Sequence, residues 1–264
     1  MAKKNLREKF IRRAKKKVKE IISREDIFLM QVERAVEDLT KILNTLGERL
    51  EDWYSIYFPE LRLRDRLKLA NIILAIEDRE NIDEAGLSKI VGVNKAKEIV
   101  ERAKSTAGAS IKKEDLKYIK KLAEEYINLY KLKEFYEEEI EGLANRVAPN
   151  ATYLIGGKLV AKFINHAKGL DKLASMPAST IQVLGAEKAL FKHLRNKKIK
   201  PPKHGIILLS KYVSSLPKKL RGKMARTLAS KLAIAFRADA TNKSFIAKEL
   251  KEVVEKRYKE LQSS

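Results

Sequence analysis

Apolar side chains recur along the first half of the chain at spacings that alternate between four and three residues. The clearest run lies within residues 25–57 and consists of Val32, Val36, Leu39, Leu43, Leu46, Leu50, Trp53 and Tyr57. This heptad spacing predicts one long helix with an apolar seam. The helix is predicted to end at Phe58-Pro59, because the residue before a proline is disfavoured in the α region.

The apolar pattern continues through a second helix, a compact tip and a long helix that runs back along the first. The second helix is predicted to bury Leu63, Leu67, Ala70 and Leu74. Residues 78–86 are predicted to form a loop, followed by two short helices that pivot near Gly92. A long helix is then predicted from about residue 112 to residue 147, with a seam of Leu129, Leu132, Tyr136, Ile140, Leu143 and Val147. Residues 25–148 are therefore predicted to form an antiparallel coiled-coil arm.

A compact helical domain is predicted for residues 149–264. Asn150 is expected to be the N-cap of its first helix. A long helix from about Lys218 to Ala240 is expected to bury Leu220, Met224, Leu228, Leu232 and Ala235. An amphipathic helix follows it, and residues 1–24 are interpreted as a basic helix or the remnant of a linker. The predicted class is all-α, with a long arm followed by a helical domain.

Charge is concentrated at the two ends of this arrangement. The formal net charge of the 264 residues is +22. Residues 1–24 hold 11 Lys and Arg against 2 Asp and Glu, residues 25–149 hold 21 against 26, and residues 185–237 hold 15 against 1. Helix surfaces ordinarily mix both signs, so one-sided charge on this scale indicates a polyanionic partner such as RNA or DNA.

Several classes of function are disfavoured by what the sequence lacks. The absence of cysteine excludes disulfides, thiolate catalysis and Cys-ligated zinc. No apolar run approaches the roughly 18 residues of a membrane span. No Ser-His-Asp order, pair of catalytic acids or nucleotide-binding loop is present, so no catalytic residue, metal site or cofactor is expected. Gly156 and Gly157 are interpreted as sites of close helix packing, and the acidic residues 137–141 as a solvated helix face.

The segment "GAEKALFKHL" is the strongest candidate for a binding site. Lys188, Lys192 and Arg195 recur at helical spacing and share one face, whereas Ala189, Leu190 and Leu194 are expected to face the core. Gly185 at the helix entry permits close approach of another molecule, and the N–H groups of the first turn favour an anion such as phosphate. The lysines that follow, up to residue 203, extend the charge along a loop stiffened by two prolines.

These segments resemble the Nop domain. The resemblance rests on "APNATYLIGGKLVAKFINHAKGLDKLASMPASTIQVLGAEKALFKHL", "PKHGIILL" and "LPKKLRGKMARTLASKLAIAFRADA", while "LGERLEDWYSIYFPEL" is similar to the arm that precedes that domain. It covers roughly residues 25 to 240. The chain is identified as similar to the archaeal Nop-family scaffold of box C/D small ribonucleoproteins.

The resemblance implies a function and a set of partners. In that family the Nop domain binds box C/D guide RNA at a kink-turn that is already held by a small ribosomal-type kink-turn-binding protein. The coiled-coil arm pairs two copies, and a further N-terminal domain holds fibrillarin, which methylates the target ribose with S-adenosylmethionine. The implied protein is a non-catalytic scaffold without a cofactor of its own, located in the cytoplasm of an archaeal cell.

The resemblance also transfers motifs onto numbered positions. The Gly-Ala-Glu-Lys motif falls on Gly185, Ala186, Glu187 and Lys188, and the Ala-Leu-Phe-Arg motif on Ala189, Leu190, Phe191 and Lys192, where lysine replaces arginine and loses its planar fork. The remaining predicted RNA contacts are Arg195, Lys200, Lys203, His204, Arg221, Lys223 and Arg226. The chain begins almost at the arm, so we expect a truncated form in which fibrillarin binding belongs to the longer protein.

Three alternatives stay open at this level. A spliceosomal Nop-domain protein clamps a small nuclear RNA by the same logic. A helix-hairpin-helix DNA-binding protein would use "IVGVNKAKEIV", with Lys95 and Lys97 as its contacts and Asn94 in place of the second glycine. An RNA-modifying enzyme would have to transfer a methyl group by itself.

Overall fold

The computed structural model describes residues 10–16, 18, 24–241 and 244–263, and all regular secondary structure within these ranges is helical. The all-α prediction is therefore confirmed. The first helices are α1 (Glu25–Tyr57), α2 (Arg66–Ala75), α3 (Glu84–Val91), α4 (Val93–Lys104) and α5 (Lys113–Val147). They are followed by α6 (Pro149–Ile155), α7 (Gly157–Ala167), α8 (Leu170–Ser175), α9 (Ala178–Val183), α10 (Glu187–Arg195), a 3₁₀ turn (Ile206–Leu209), α11 (Lys211–Ser214), α12 (Lys218–Ala240) and α13 (Ala247–Gln262).

The chain divides into two compact units. One consists of residues 35–135 and the other of residues 1–34 together with 136–264. The boundaries between these units fall within α1 and α5. The domain boundaries predicted from the sequence lie at 24/25 and 148/149 and stay a prediction. The predicted basic helix of residues 1–24 lies largely outside the described residues, although residues 10–16 are helical. Among the described residues, no helix combines the length and the hydropathy needed to cross a membrane.

The unit of residues 35–135 has an apolar core supplied by every helix within it. Its buried side chains include Leu50, Phe58, Ile72, Leu87 and Ile119. Helix α1 ends at Tyr57, as the Phe58-Pro59 pair predicts. Gly92, with a φ of 84°, separates α3 from α4 at the predicted pivot.

Three details of the predicted apolar seams are wrong. In α5, Leu132 was predicted to lie in the seam but is 40% exposed. Trp53 is 38% exposed, and Tyr54 is buried in its place. A straight helix of 3.6 residues per turn drifts away from a strict heptad, so the buried stripe moves by one position over several turns. In α2 the buried residues are Leu69, Ala70, Ile72 and Ile73. Leu63 precedes this helix, because the Asp65 side chain caps its N-terminus, and the predicted Leu67 and Leu74 are only partly buried.

Arg79 ties together three turns of this unit. Its Nη1 donates to the carbonyl oxygens of Tyr57, Gly108 and Ala109 at 2.5, 3.1 and 3.0 Å. Its guanidinium also lies 4.7 Å from the centre of the Tyr57 ring. Since the last carbonyls of a helix have no partner within the helix, this side chain satisfies the C-terminus of α1 and fixes the loop before α5 against it.

The other unit is built around α12. This helix packs against α6, α8, α9 and α13 and buries Met224, Leu228, Leu232 and Ala235, so its predicted bounds and most of its predicted stripe are confirmed. Leu220 is only partly buried, because it lies in the exposed first turn.

Asn150 is not the N-cap that the sequence suggested. Ala148 occupies that position, and Asn150 lies inside α6, where it is fully buried. The carboxylate of Asp239 accepts hydrogen bonds from the Asn150 backbone N–H (3.0 Å), the Asn150 Nδ2 (2.8 Å) and the Ala151 N–H (3.0 Å). Asn150 Nδ2 also donates to the Ser244 carbonyl, and its Oδ1 accepts from the Ile246 N–H. The α6 N-terminus is thus capped by a carboxylate from α12, far away in sequence.

The prediction of close packing is confirmed at Gly157 but is wrong at Gly156, where a Cβ would have no neighbour within 4 Å. A Cβ on Gly157 would lie 2.8 Å from the Cα of Glu141, and the Gly157 N–H donates to the Glu141 carboxylate at 2.7 Å. Glu137, in turn, forms an ion pair with Lys158. The acidic face of residues 137–141 is therefore not simply solvated, because two of its carboxylates hold α7.

Candidate nucleic-acid interface

The basic segment, residues 185–204, leaves the core and returns to it through two adjacent backbone hydrogen bonds. The Gly205 N–H donates to the Gln182 carbonyl and the Ile206 N–H to the Leu184 carbonyl, both at 2.8 Å. A Cβ on Gly205 would lie 1.9 Å from the Leu184 carbonyl oxygen, so the return requires glycine. The two ends of the segment are thereby held side by side.

The entry to α10 is shaped by Gly185 and Glu187. Gly185 has a φ of 83°, and a Cβ there would lie 2.4 Å from Ile206 Cγ2. The Gly185 N–H donates to the Glu187 carboxylate at 2.7 Å. The one acid among 15 cations in residues 185–237 therefore closes a turn, and within the described residues it forms no ion pair with a lysine.

Helix α10 lies on the surface with all of its sides accessible. None of residues 187–195 is buried. The prediction that Ala189, Leu190 and Leu194 face the core was wrong: Leu190 is half-buried, and Ala189 and Leu194 are exposed. Helical spacing indicates that residues share a face, but it does not say whether anything covers that face.

The result is a surface that mixes charge with apolar side chains. Lys188, Lys192 and Arg195 are exposed as predicted, and across the ranges that the structure describes none of them has a carboxylate partner. Phe191 is 58% and Leu194 is 52% exposed between them. Phosphates can bind the cations, while the apolar side chains can pack on sugars, bases or a protein.

The loop that follows α10 is held by local hydrogen bonds. His193 Nδ1 contacts the Ile199 carbonyl, and the Lys198 N–H donates to the Asn196 side chain. Gln182 Nε2 donates to the Lys203 carbonyl at 2.7 Å. Lys200 is exposed and His204 is partly exposed on this loop, both accessible to a ligand.

The basic segment adjoins the first turns of α12 through Lys203. The stem of Lys203 lies 3.6 Å from the position that a Cβ on Gly222 would occupy, which is an ordinary packing distance. Arg221 is partly exposed and donates to the carbonyls of Leu216 (2.8 Å) and Ser214 (3.0 Å), so part of its donor capacity holds the turn before α12. Lys223 and Arg226 are exposed.

The predicted site is thus largely accessible, and its supports were not anticipated. Gln182 and Gly205 hold the basic segment in place, yet neither of them carries a charge that would have drawn attention. A glycine directly after a charged loop was the available signal. Elsewhere, His166 is exposed on α7. Within the described ranges no three His, Asp or Glu side chains are grouped to hold a metal ion.

The turn at Gly92 has its own charged residues. Lys95 Nζ forms an ion pair with Glu98 at 2.7 Å, and Glu98 also pairs with Arg102. These ion pairs neutralise part of the positive charge that the helix-hairpin-helix hypothesis would use for DNA contacts.

Comparison with known proteins gives a consistent result. A family model described as "Nop: snoRNA binding domain, fibrillarin" matches residues 35–260. A NOP5 family protein of Methanocaldococcus jannaschii is 48% identical over 250 residues, which cover 94% of this chain and 60% of that protein. Nucleolar protein 58 of Lodderomyces elongisporus is 38% identical over 216 residues, covering 81% of this chain and 42% of that protein.

A solved structure shares the fold. It is the crystal structure of a fibrillarin/Nop5p complex, in which the matching chain is 27% identical, with a TM-score of 0.54 over 98% of this chain and 78% of that one. The chain spans between two fifths and two thirds of the length of the curated relatives described above.

Proposed function

The chain belongs to the Nop family, and from that premise we propose that it is an RNA-binding scaffold of a box C/D-type ribonucleoprotein. The observation that carries the proposal is the exposed basic segment, whose cations have no carboxylate partner among the described residues. Unpaired cations on an ordered helix favour phosphate binding and a steep salt dependence.

The proposed ligand is a kink-turn in guide RNA together with its small kink-turn-binding protein. Phe191 and Leu194 are exposed beside Lys188 and Lys192, which suits a surface that meets protein and RNA at once. A sharply folded RNA presents backbone geometry more readily than base edges, so shape and the bound protein supply specificity.

Self-association through the arm is the second part of the proposal. Ile42, Trp53 and Ile56 are 44%, 38% and 54% exposed. Separations of 11 and 14 residues are close to whole helical turns, so the three side chains share one face of α1. An exposed apolar stripe of this kind favours packing against a second copy.

The scaffold has no catalytic role in this proposal. Ribose 2′-O-methylation is assigned to fibrillarin, which binds S-adenosylmethionine, and the scaffold works with it in the interior of an archaeal cell. The structural neighbour is a fibrillarin/Nop5p complex, which supports fibrillarin as a partner of the family.

A gel-shift series tests the RNA-binding proposal. Kink-turn RNA is titrated with the chain, with and without the small kink-turn-binding protein, at several salt concentrations. We expect tight binding only when the protein is present. Lys188→Ala with Lys192→Ala is expected to weaken it about tenfold and to reduce the salt slope by about 1.5, since each phosphate contact contributes about 0.7 to 0.9.

Matched controls separate this outcome from a general loss of charge. Lys248 and Lys256 are exposed lysines of α13, and the double alanine variant removes the same net charge. Equal binding of naked RNA, or equal losses for the two double variants, would contradict the proposal. A larger loss for Lys95→Ala with Lys97→Ala would favour the helix-hairpin-helix alternative.

A further inference from the structure

A second cationic surface lies on the unit of residues 35–135, which does not contain the basic segment. An open recess of about 720 Å³ is bounded there by the loop between α1 and α2 and by the facing side of α5. Its charged lining residues are Arg62, Arg64 and Arg66 together with Glu51 and Asp65, and Tyr126 and Tyr130 line it as well. Three arginines in five residues line a single cavity.

Arg66 anchors the loop that forms the recess. Its Nη1 donates to the Asn44 carbonyl at 3.1 Å, and its guanidinium nitrogens lie 3.4 Å from Glu48 Oε1 and 3.9 Å from Glu51 Oε2. A Cβ on Gly47 would lie 2.4 Å from Arg66 Cδ, so the side chain fits against α1 only because residue 47 is glycine. The loop is therefore held in place, and Arg66 is committed to holding it.

The two acids of the same loop are used elsewhere. Glu60 accepts from the Thr106 hydroxyl (2.6 Å) and the Ala107 N–H (2.8 Å). Asp65 accepts from the N–H groups of Leu67 (3.0 Å) and Lys68 (3.1 Å) at the start of α2. Both acids of the loop therefore satisfy backbone donors.

Arg62, Arg64 and Lys68 are consequently left without a counter-charge. All three are exposed, and none has an ion-pair partner among residues 24–241 and 244–263. Elsewhere on the same unit exposed lysines are paired, for example Lys41 with Asp38 and Lys121 with Glu124. Some surface cations of this unit are thus neutralised locally, whereas Arg62 and Arg64 carry a charge at the recess that is unpaired among the described residues.

We propose that this recess binds the phosphate backbone of RNA as a second contact site, distinct from the basic segment. The planar forks of Arg62 and Arg64 match phosphate oxygens, and the partly buried Tyr130 lines the side of the recess against which a sugar or base packs. The inference rests on the proposed function only in taking RNA as the polyanion that this chain meets. An acidic protein segment is the competing ligand.

Two RNAs distinguish the two sites. One is the minimal kink-turn, and the other is the same RNA lengthened by a single-stranded tail, each bound to the kink-turn-binding protein. Arg62→Ala with Arg64→Ala is expected to weaken binding of the tailed RNA about tenfold and to reduce its salt slope by about 1.4, with no change for the minimal RNA. Lys188→Ala with Lys192→Ala is expected to weaken binding of both.

Controls fix the interpretation. Lys41→Ala with Lys121→Ala removes two cations of the same unit that are already paired, and is expected to change neither affinity. Arg62→Lys with Arg64→Lys keeps the charge but not the fork, so it should recover only part of the loss. Because both arginines are exposed, the thermal midpoint should be unchanged.

Each result decides something. Unchanged affinity of Arg62→Ala with Arg64→Ala for the tailed RNA overturns the inference, as does an effect on poly-glutamate binding without one on RNA. If the Lys188 and Lys192 variant binds both RNAs normally while the arginine variant loses the tailed one, the proposed function of the basic segment fails and the recess stands.

Discussion

Replacing Asp239 with alanine removes the acceptor on which the start of α6 depends. The carboxylate is completely buried and receives three hydrogen bonds from the described residues, two from Asn150 and one from Ala151. All three donors are in the first turn of α6, where backbone N–H groups have no partner within the helix. The substitution leaves them in a site closed to water.

The expected cost follows from these contacts. A hydrogen bond to a charged group contributes about 1.5 to 3 kcal/mol, and a buried donor without a partner costs about 1 to 3 kcal/mol. Such effects are not additive, so we expect Asp239→Ala to lower the free energy of unfolding by about 4 kcal/mol. Asp239→Asn keeps one acceptor oxygen but places an amide group opposite one of the donors, so we expect it to lower the free energy of unfolding by about 2 kcal/mol.

Urea denaturation followed by far-ultraviolet circular dichroism measures this loss. With a dependence on urea of about 2 kcal/mol per molar, the midpoint should fall by about 2 M for the alanine variant. Asp171→Ala is the control: Asp171 is 64% exposed and pairs with Arg24, so about 0.5 kcal/mol is expected. A loss below about 1 kcal/mol for Asp239→Ala would show that the buried carboxylate does not cap α6.

Two further predictions concern the unit of residues 35–135. Arg79→Ala should lower the free energy of unfolding of this unit in urea by about 2 to 3 kcal/mol, because the carbonyls of Tyr57 and Gly108 lose a charged donor. Arg79→Lys should recover less than half of that loss, and full recovery would contradict the role of the guanidinium fork. The Thr106 hydroxyl holds the pKa of Glu60 in the folded protein below its usual value of 4.5. The ionised carboxylate therefore stabilises the fold above pH 4.5, and this stabilisation is lost as the pH falls through the lower pKa of the folded state. Acid titration by circular dichroism should therefore show a smaller loss of stability between those two values for Glu60→Gln than for the parent, and identical curves would refute the assignment.

Much of the helical architecture could be predicted from local signals. The bounds of α12 and the end of α1 at Phe58-Pro59 depend on periodicity and proline chemistry, which act over a few residues. The position of the N-cap at α6 could not be predicted, because Asn150 is a good cap by type and only the distant carboxylate of Asp239 shows that it has another role. The predicted burial pattern of α2 was wrong for the same reason, because the packing of neighbouring helices decides which face of α2 is covered.

The candidate site divides in the same way. The exposure of Lys188, Lys192 and Arg195 follows from their spacing and from the absence of nearby acids. The exposure of Leu194 does not, since an apolar residue at helical spacing ordinarily marks a core face. Glu187 and Arg221 were predicted as RNA contacts from a motif and a charge, whereas their hydrogen bonds to backbone groups also give them roles in holding turns.

Because of the paired hydrogen bonds at Gly205 and Ile206, sequence changes that affect binding and those that affect folding fall in different parts of this protein. They close residues 185–204 into a lobe that is attached to the core near its two ends, and α10 within it contributes no buried side chain. Substitutions in α10 are therefore expected to have little effect on whether the rest of the chain folds. Lobes exchanged between relatives should fold on each other's cores.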